Sequence, residues 1–192
     1  GGNFEDAPEF VDAAMNDYRL LADSPCVNTG ISIMPYTAVD LSGTPRDGKP
    51  DMGCYEFIIP RPTIFYVNAN NVSGIETGLS WSRAFTDLQD AIALSATGDQ
   101  IWVATGTYYP TDDMDRSVAF VLKPGVELYG NFAGTEALLS ERDLSTMYET
   151  VLSGDLDMNG VGDAQNSYNV VVASNDARLD GFTVSFGNSL DL

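Results

Sequence analysis

The chain has 192 residues, 44% of them hydrophobic, enough apolar material for one or two compact domains and too much for a disordered chain. Nine basic residues stand against 28 acidic ones, and the formal net charge of −19 repels nucleic acid and anionic membrane surfaces. Histidine does not occur, which excludes Ser-His and Cys-His charge-relay hydrolases and most transition-metal sites.

Residues 1–57 alternate short apolar runs with turn signals (PEFVD, DYRLLADSPCVNTG, DLSGTPRDGKPD, MGCYEF) and are too loop-rich to build a large core alone. They hold both cysteines, Cys26 and Cys54, without a C-x-x-C pattern. A bridge between them would close a loop of about 29 residues and contribute ~3–4 kcal/mol through chain entropy. Two buried free thiols are the alternative. Residues 58–63, IIPRPT, place two prolines within three positions and read as a short stiff linker. No apolar run approaches the ~20 residues of a membrane span, and no signal-peptide pattern opens the chain. The Gly1-Gly2 start and the apolar strand-like close suggest a piece of something longer.

Past the linker, Ile64–Asn68 predicts a strand with Phe65 and Val67 on one face. A short helix is expected next. Thr86 and Gln89 fit a T-x-x-Q capping box, Phe85, Leu88 and Ile92 recur at helical spacing, and Gly98 suits the position just past the end. Six further strands are expected over Gln100–Ala104, Val118–Leu122, Val126–Tyr129, Thr150–Ser153, Asn169–Ala173 and Ala177–Ser185, punctuated by Gly, Asp and Asn. Such short runs with one helix argue for an all-β architecture. Strand starts recur every roughly 18–30 residues, and Asn-Gly lies in a long loop, not a tight hairpin, as coils of a solenoid with variable side loops would give.

Several strings carry a resemblance. GLSWSRAFTDLQDAIALSATGDQ followed by IWVATGTYYPT, then FVLKPGVELYGNFAGTE, LSERD, TVLSGDLDMNGVGD, SYNVV and LDGFTVSFGN, resemble in order the opening of bacterial surface proteins with the pectin-lyase-like fold. The resemblance implies a right-handed parallel β-helix with a short N-terminal capping α-helix over residues 64–192. PEFVDAAMNDYRLLADSPCVNTG and DLSGTPRDGKPDMGCYEF resemble the stretch that closes such a β-helix, so residues 1–57 would end one unit and 64–192 open the next. In those relatives alanine often stands where Cys26 and Cys54 stand here, and paired replacement implies a disulfide. The last coil would leave an apolar sheet end near Phe182–Phe186, covered by a second copy or by residues 1–57 acting as a lid.

The sharpest local signal is DLDMNGVGDAQN. Asp155, Asp157, Asn159 and Asp163 fall at positions 1, 3, 5 and 9 of an EF-hand-like calcium loop, with Gly160 at the turn and the Val161 carbonyl at position 7. Alternate residues of a tight loop aim their oxygens inward, which a hard cation needs. Asn166 takes the place of the bidentate glutamate, which predicts a micromolar-to-millimolar site. An Asx-turn connector is the competing reading. Asp112, Asp113 and Asp115, and the set Asp40, Asp47 and Asp51, read as solvated loop and turn network. Trp81, Tyr108, Tyr109 and Tyr148, in loops or at strand ends, are candidates for stacking on a sugar, with packing as the alternative role; Trp102 reads as core.

Lyase chemistry would need a basic residue beside a carboxylate cluster on one sheet face, and hydrolysis would need clustered aspartates on adjacent strands. The basic residues lie scattered in the sequence and the acids fall in loops. The expectation is therefore a non-catalytic extracellular module, adhesive and glycan-binding or a spacer, with calcium as its cofactor and no organic cofactor. Its partners would be glycans or further copies of itself, with no nucleic acid and no membrane insertion. The alternative is a fragment of a polysaccharide lyase or glycoside hydrolase whose active site lies outside this segment.

Overall fold

A computed structural model describes residues 6–31, 39–46, 49–58, 62–144 and 149–188. Near the N-terminus, β1 (Phe10–Asp12) and β2 (Asp17–Leu20) form an antiparallel hairpin. Between them the Asp12 carboxylate accepts the Met15 amide at 3.2 Å, closing a single 3-10 turn. Asn16 then reverses the chain at φ 60°, a left-handed conformation that asparagine tolerates.

β3 (Ile64–Val67) leads through an irregular stretch to α1 (Leu88–Leu94). The helix starts one residue later than the capping box implies. Thr86 turns its hydroxyl to the Glu76 carboxylate at 3.0 Å, and Asp87 caps instead, accepting the Gln89 amide at 2.8 Å. The buried face is Leu88, Ala91, Ile92 and Leu94, and Lys123 reaches the terminal carbonyls of Ala93 and Ser95 at 2.5 and 2.9 Å. Asp99, fully buried, accepts the amides of Thr63 at 2.9 Å and Ala96 at 2.8 Å, fastening the helix exit to the start of β3.

The remaining strands are β4 (Gln100–Ala104), β5 (Gly106–Tyr108), β6 (Phe120–Val121), β7 (Glu127–Phe132), β8 (Thr150–Ser153), β9 (Val171–Val172), β10 (Arg178–Asp180) and β11 (Thr183–Ser185). They join three parallel sheets in the orders β3-β4-β7-β10, β5-β8-β11 and β6-β9. Register stacks like on like. Phe65, Ile101, Leu128 and Leu179 form one column, and Tyr66, Trp102, Tyr129 and Asp180 the next. The first three of the apolar column are fully buried, in a core with Phe85, Phe120, Val126 and Leu152. The opposite face of the first sheet is covered as well: Trp102 stacks on Phe132 with centroids 4.7 Å apart, beside Tyr66 and Trp81. Such stacking adds ~0.5–1.5 kcal/mol beyond area burial.

The all-β parallel β-helix expected from sequence is corrected. The chain is a mixed α/β structure that combines parallel sheets with an antiparallel pair. The hairpin was hidden because Asp12 and Asn16 supply the turn through side-chain and left-handed backbone chemistry instead of an Asn-Gly pair. The helix, treated as a cap, contributes four buried residues to the main core. The expected Cys26–Cys54 disulfide is also corrected: both thiols are free, Cys26 buried and Cys54 exposed, so the pair does not share one environment. Nor do the described parts of residues 1–57 form a lid over the last strands. Phe57 packs into both the main core and the cluster of Leu20, Cys26 and Val27, Asn28 donates to the Thr77 carbonyl at 3.0 Å, and Lys49 pairs with Asp90 on α1. These contacts lie at the β3 and α1 end. Among the described residues no helix is long and apolar enough to cross a membrane.

Candidate functional site

The Asp155–Asn166 loop leaves β8 and returns toward β9, and its ends are tied together: Gly154 accepts the Ser167 amide at 2.8 Å. The Arg116 guanidinium donates to the Asn166 carbonyl at 2.6 Å and to the Asn188 carbonyl at 3.2 Å, clamping the loop exit. Asp155 is buried, and its carboxylate accepts the amides of Asn159 at 3.2 Å and Gly160 at 2.8 Å. Gly160 makes that turn at φ 74°. Asn159 is the hub: its Nδ2 donates to Asp157 at 2.7 Å and to Asp163 at 3.3 Å, and its Oδ1 accepts the Val161 amide at 2.6 Å.

Two oxygens are left over. Asp157 Oδ1 is buried without a hydrogen-bond partner. Asn166 is 0% exposed, donates Nδ2 to the Val161 carbonyl at 3.1 Å, and has no partner for Oδ1. A buried acceptor left unpaired costs ~1–3 kcal/mol. Desolvation raises the Asp157 pKa, and its contact with Asp155 and the negative charges of Asp163 and Asp155 push the same way. The structure thus brings Asp155, Asp157, Asn159, Asp163 and Asn166 into one hydrogen-bonded network, while the Val161 carbonyl is taken up by Asn166. Among the described residues no three carboxylates or thiols converge as a ready-made metal cage. Asp155 is spent on backbone amides. The unpartnered oxygens of Asp157 and Asn166 are hard donors, the type that a cation such as calcium takes as ligands.

The other acidic segments behave as turns. Asp113 and Asp115 accept local amides at 2.8 and 2.9 Å in an exposed loop. Asp40 accepts the amides of Ser42, Thr44 and Glu56, each at 2.8 Å, and the Ser42 hydroxyl at 2.7 Å. Burial acts to raise its pKa but is outweighed by these bonds, led by the Glu56 amide, leaving it at about 2. Asp51 accepts the Asn28 amide at 2.8 Å; Asp47 lies outside the described residues.

Of the aromatic candidates, Tyr108 is buried, with its hydroxyl donating to the Ala104 carbonyl at 3.0 Å. Trp81 donates Nε1 to the Glu136 carbonyl at 2.9 Å and packs against Tyr66 and Phe132. Both are used in packing. Tyr109 is half-buried, and Tyr148 lies outside the described residues.

The sequence reading missed one polar assembly. Glu127 on β7 and Arg178 and Asp180 on β10 meet on one sheet face through register, with Gln100 Nε2 donating to Glu127 at 3.1 Å. Arg178 and Arg142 both pair with Asp180, at 2.7 and 2.8 Å, and both lie over the Tyr129 ring. A basic residue therefore does sit beside carboxylates on a sheet face, contrary to expectation. The shared polar-apolar-aromatic or polar pattern of QIW, ELY and RLD was the signal available. The pairing works against general-base chemistry. Arg178 is pushed further up, chiefly by its hydrogen bond to Asp180, and Asp180 is held down by Arg178 and then Arg142. The Arg178 guanidinium is thereby fixed as a cation.

No protein-family model, curated protein or solved structure matches this chain.

Proposed function

We propose that the chain is a non-catalytic, extracellular module of a bacterial surface protein, a spacer or glycan-adhesive segment, in which the Asp155–Asn166 loop takes up calcium. On this reading residues 1–57 end one unit and residues 64–192 start the next, with Phe57, Asn28 and Lys49 packed across the boundary; residues 59–61 of the expected linker lie outside the described residues. The observation that carries the calcium reading is the buried Asn166 Oδ1 without a donor, in the same loop as the equally unpartnered Oδ1 of Asp157. Calcium supplies the missing positive charge for both and offsets the repulsion among Asp155, Asp157 and Asp163. With no bidentate carboxylate at Asn166, the affinity falls in the micromolar-to-millimolar range suited to calcium outside cells.

Support for a non-catalytic role comes from how the basic side chains are engaged. Arg46 pairs with Glu56 at 2.7 Å, Arg142 and Arg178 share Asp180, and Arg116 and Lys123 are anchored on backbone carbonyls. A net charge of −19 favours neutral glycans over polyuronates as partners. The half-buried Tyr109 is the stacking ring for such a glycan. Calorimetric titration of chelator-stripped protein with calcium, repeated on Asn166→Ala, tests the metal reading. Heat in the unmodified chain and its loss in the variant is the expected result.

A further inference from the structure

Asn159 and Gly160 form the chain's single Asn-Gly pair. In such a pair the glycine backbone nitrogen can attack the side-chain amide carbon before it, because glycine has no Cβ to obstruct ring closure. The loop holds each reacting group. Asn159 Oδ1 accepts the Val161 amide at 2.6 Å, an Asx turn that folds the side-chain amide back over the Gly160 nitrogen. The same bond places an N–H donor on the oxygen that turns negative when the amide carbon is attacked. The Gly160 N–H donates to the Asp155 carboxylate at 2.8 Å, so an acceptor for the proton that nitrogen must lose is already bonded to it. Asp157 and Asp163 accept Nδ2 at 2.7 and 3.3 Å and fix the orientation of the leaving nitrogen.

Water can reach the pair. Asn159 and Gly160 are exposed, with open space beside the Gly160 Cα, whereas Asp155 beneath them is buried. We propose that this loop modifies itself: Asn159 cyclises onto the Gly160 nitrogen and is converted to aspartate or isoaspartate. The bond from the Gly160 nitrogen to Asn159 Cγ forms as the nitrogen's proton moves to Asp155. The Cγ–Nδ2 bond then breaks, and ammonia leaves with that proton. Water opens the five-membered imide, giving aspartate when the side-chain carbonyl is attacked and isoaspartate when the backbone carbonyl is. One water is consumed and one ammonia released, with no oxidant or reductant. Either product puts a carboxylate where the Asn159 amide had joined Asp157 to Asp163, and the loop loses both of those bonds. No metal takes part, so the proposal stands independently of calcium.

The test follows residue 159 by peptide mapping, with released ammonia assayed alongside, in chelator-containing buffer near neutral pH. Three samples are compared: the native chain, the same chain unfolded in urea, and Asp155→Asn with its fold checked by circular dichroism. The native chain is expected to convert about tenfold or more faster than the unfolded one, whose Asn-Gly pair lacks these contacts. Folded Asp155→Asn is expected to fall to the unfolded rate. Native conversion no faster than that of the unfolded chain overturns the proposal, even if Asp155→Asn fails to fold. Undiminished conversion in folded Asp155→Asn overturns it as well.

Discussion

Asn166 gives its side-chain amide to the Val161 carbonyl at 3.1 Å and leaves its own Oδ1 buried without a donor. One half of the amide thus orders the loop, and the other half is left unpaired. The same loop raises the pKa of Asp157, mainly by desolvation and then by contact with Asp155. A carboxyl whose pKa is raised on folding costs no stability below its unfolded pKa. The cost grows as pH rises through the folded value and persists at neutrality. Asp157→Asn should therefore raise the melting temperature of the calcium-free protein at pH near 7 and abolish the gain that calcium gives. Paired melts with chelator and with calcium check both signs.

Asp40 works in the opposite sense. With its pKa at about 2, against ~3.9 unfolded, its stabilisation is present above the unfolded value and is lost as pH falls toward the folded one. Asp40→Asn should weaken the protein at neutral pH and flatten its acid unfolding between those limits. Acid titrations followed by tryptophan fluorescence and far-UV circular dichroism measure this.

Gly154 and Gly160 should respond differently to alanine. A Cβ on Gly154 would lie 2.5 Å from the Phe186 carbonyl oxygen, so the next pass of chain must move, at ~1–3 kcal/mol. Gly160 faces open space and pays only for its positive φ, ~1–2 kcal/mol. Urea unfolding should show the larger loss, and a changed environment at β11, for Gly154→Ala alone.

Leu128 and Leu179 share a register position but not an environment. Leu128→Ala should cost ~2–5 kcal/mol, as buried leucines do. Leu179→Ala should cost markedly less in dilute, monomeric protein. Equal losses under those conditions would mean that the end of the sheet is already covered.

Much of the parallel-sheet region was legible because strand alternation is local. β4 and β8 span the residues their sequences indicate, and Phe65 and Val67 share one face as expected, which is the buried one. The run Ala177–Ser185 is two strands, β10 and β11, because Gly181 turns the chain at φ 78°. β5 escaped notice because it begins on a glycine and lasts three residues. The acidic loop was readable because its polar side chains lie within twelve consecutive positions. The Glu127, Arg142, Arg178 and Asp180 assembly was not, since register between distant strands creates it. The cysteines misled for a related reason: their positions in the chain carry no information on burial, and one is buried while the other is exposed.

The most direct test of the calcium reading is titration of calcium into chelator-stripped protein by calorimetry, with thermal melts of the unmodified chain and Asn166→Ala in parallel. The account predicts saturable micromolar-to-millimolar binding and a raised melting temperature in the unmodified chain, both lost in the variant. Absence of binding heat and of any melting shift in the unmodified chain would contradict it and leave the loop a hydrogen-bonded connector.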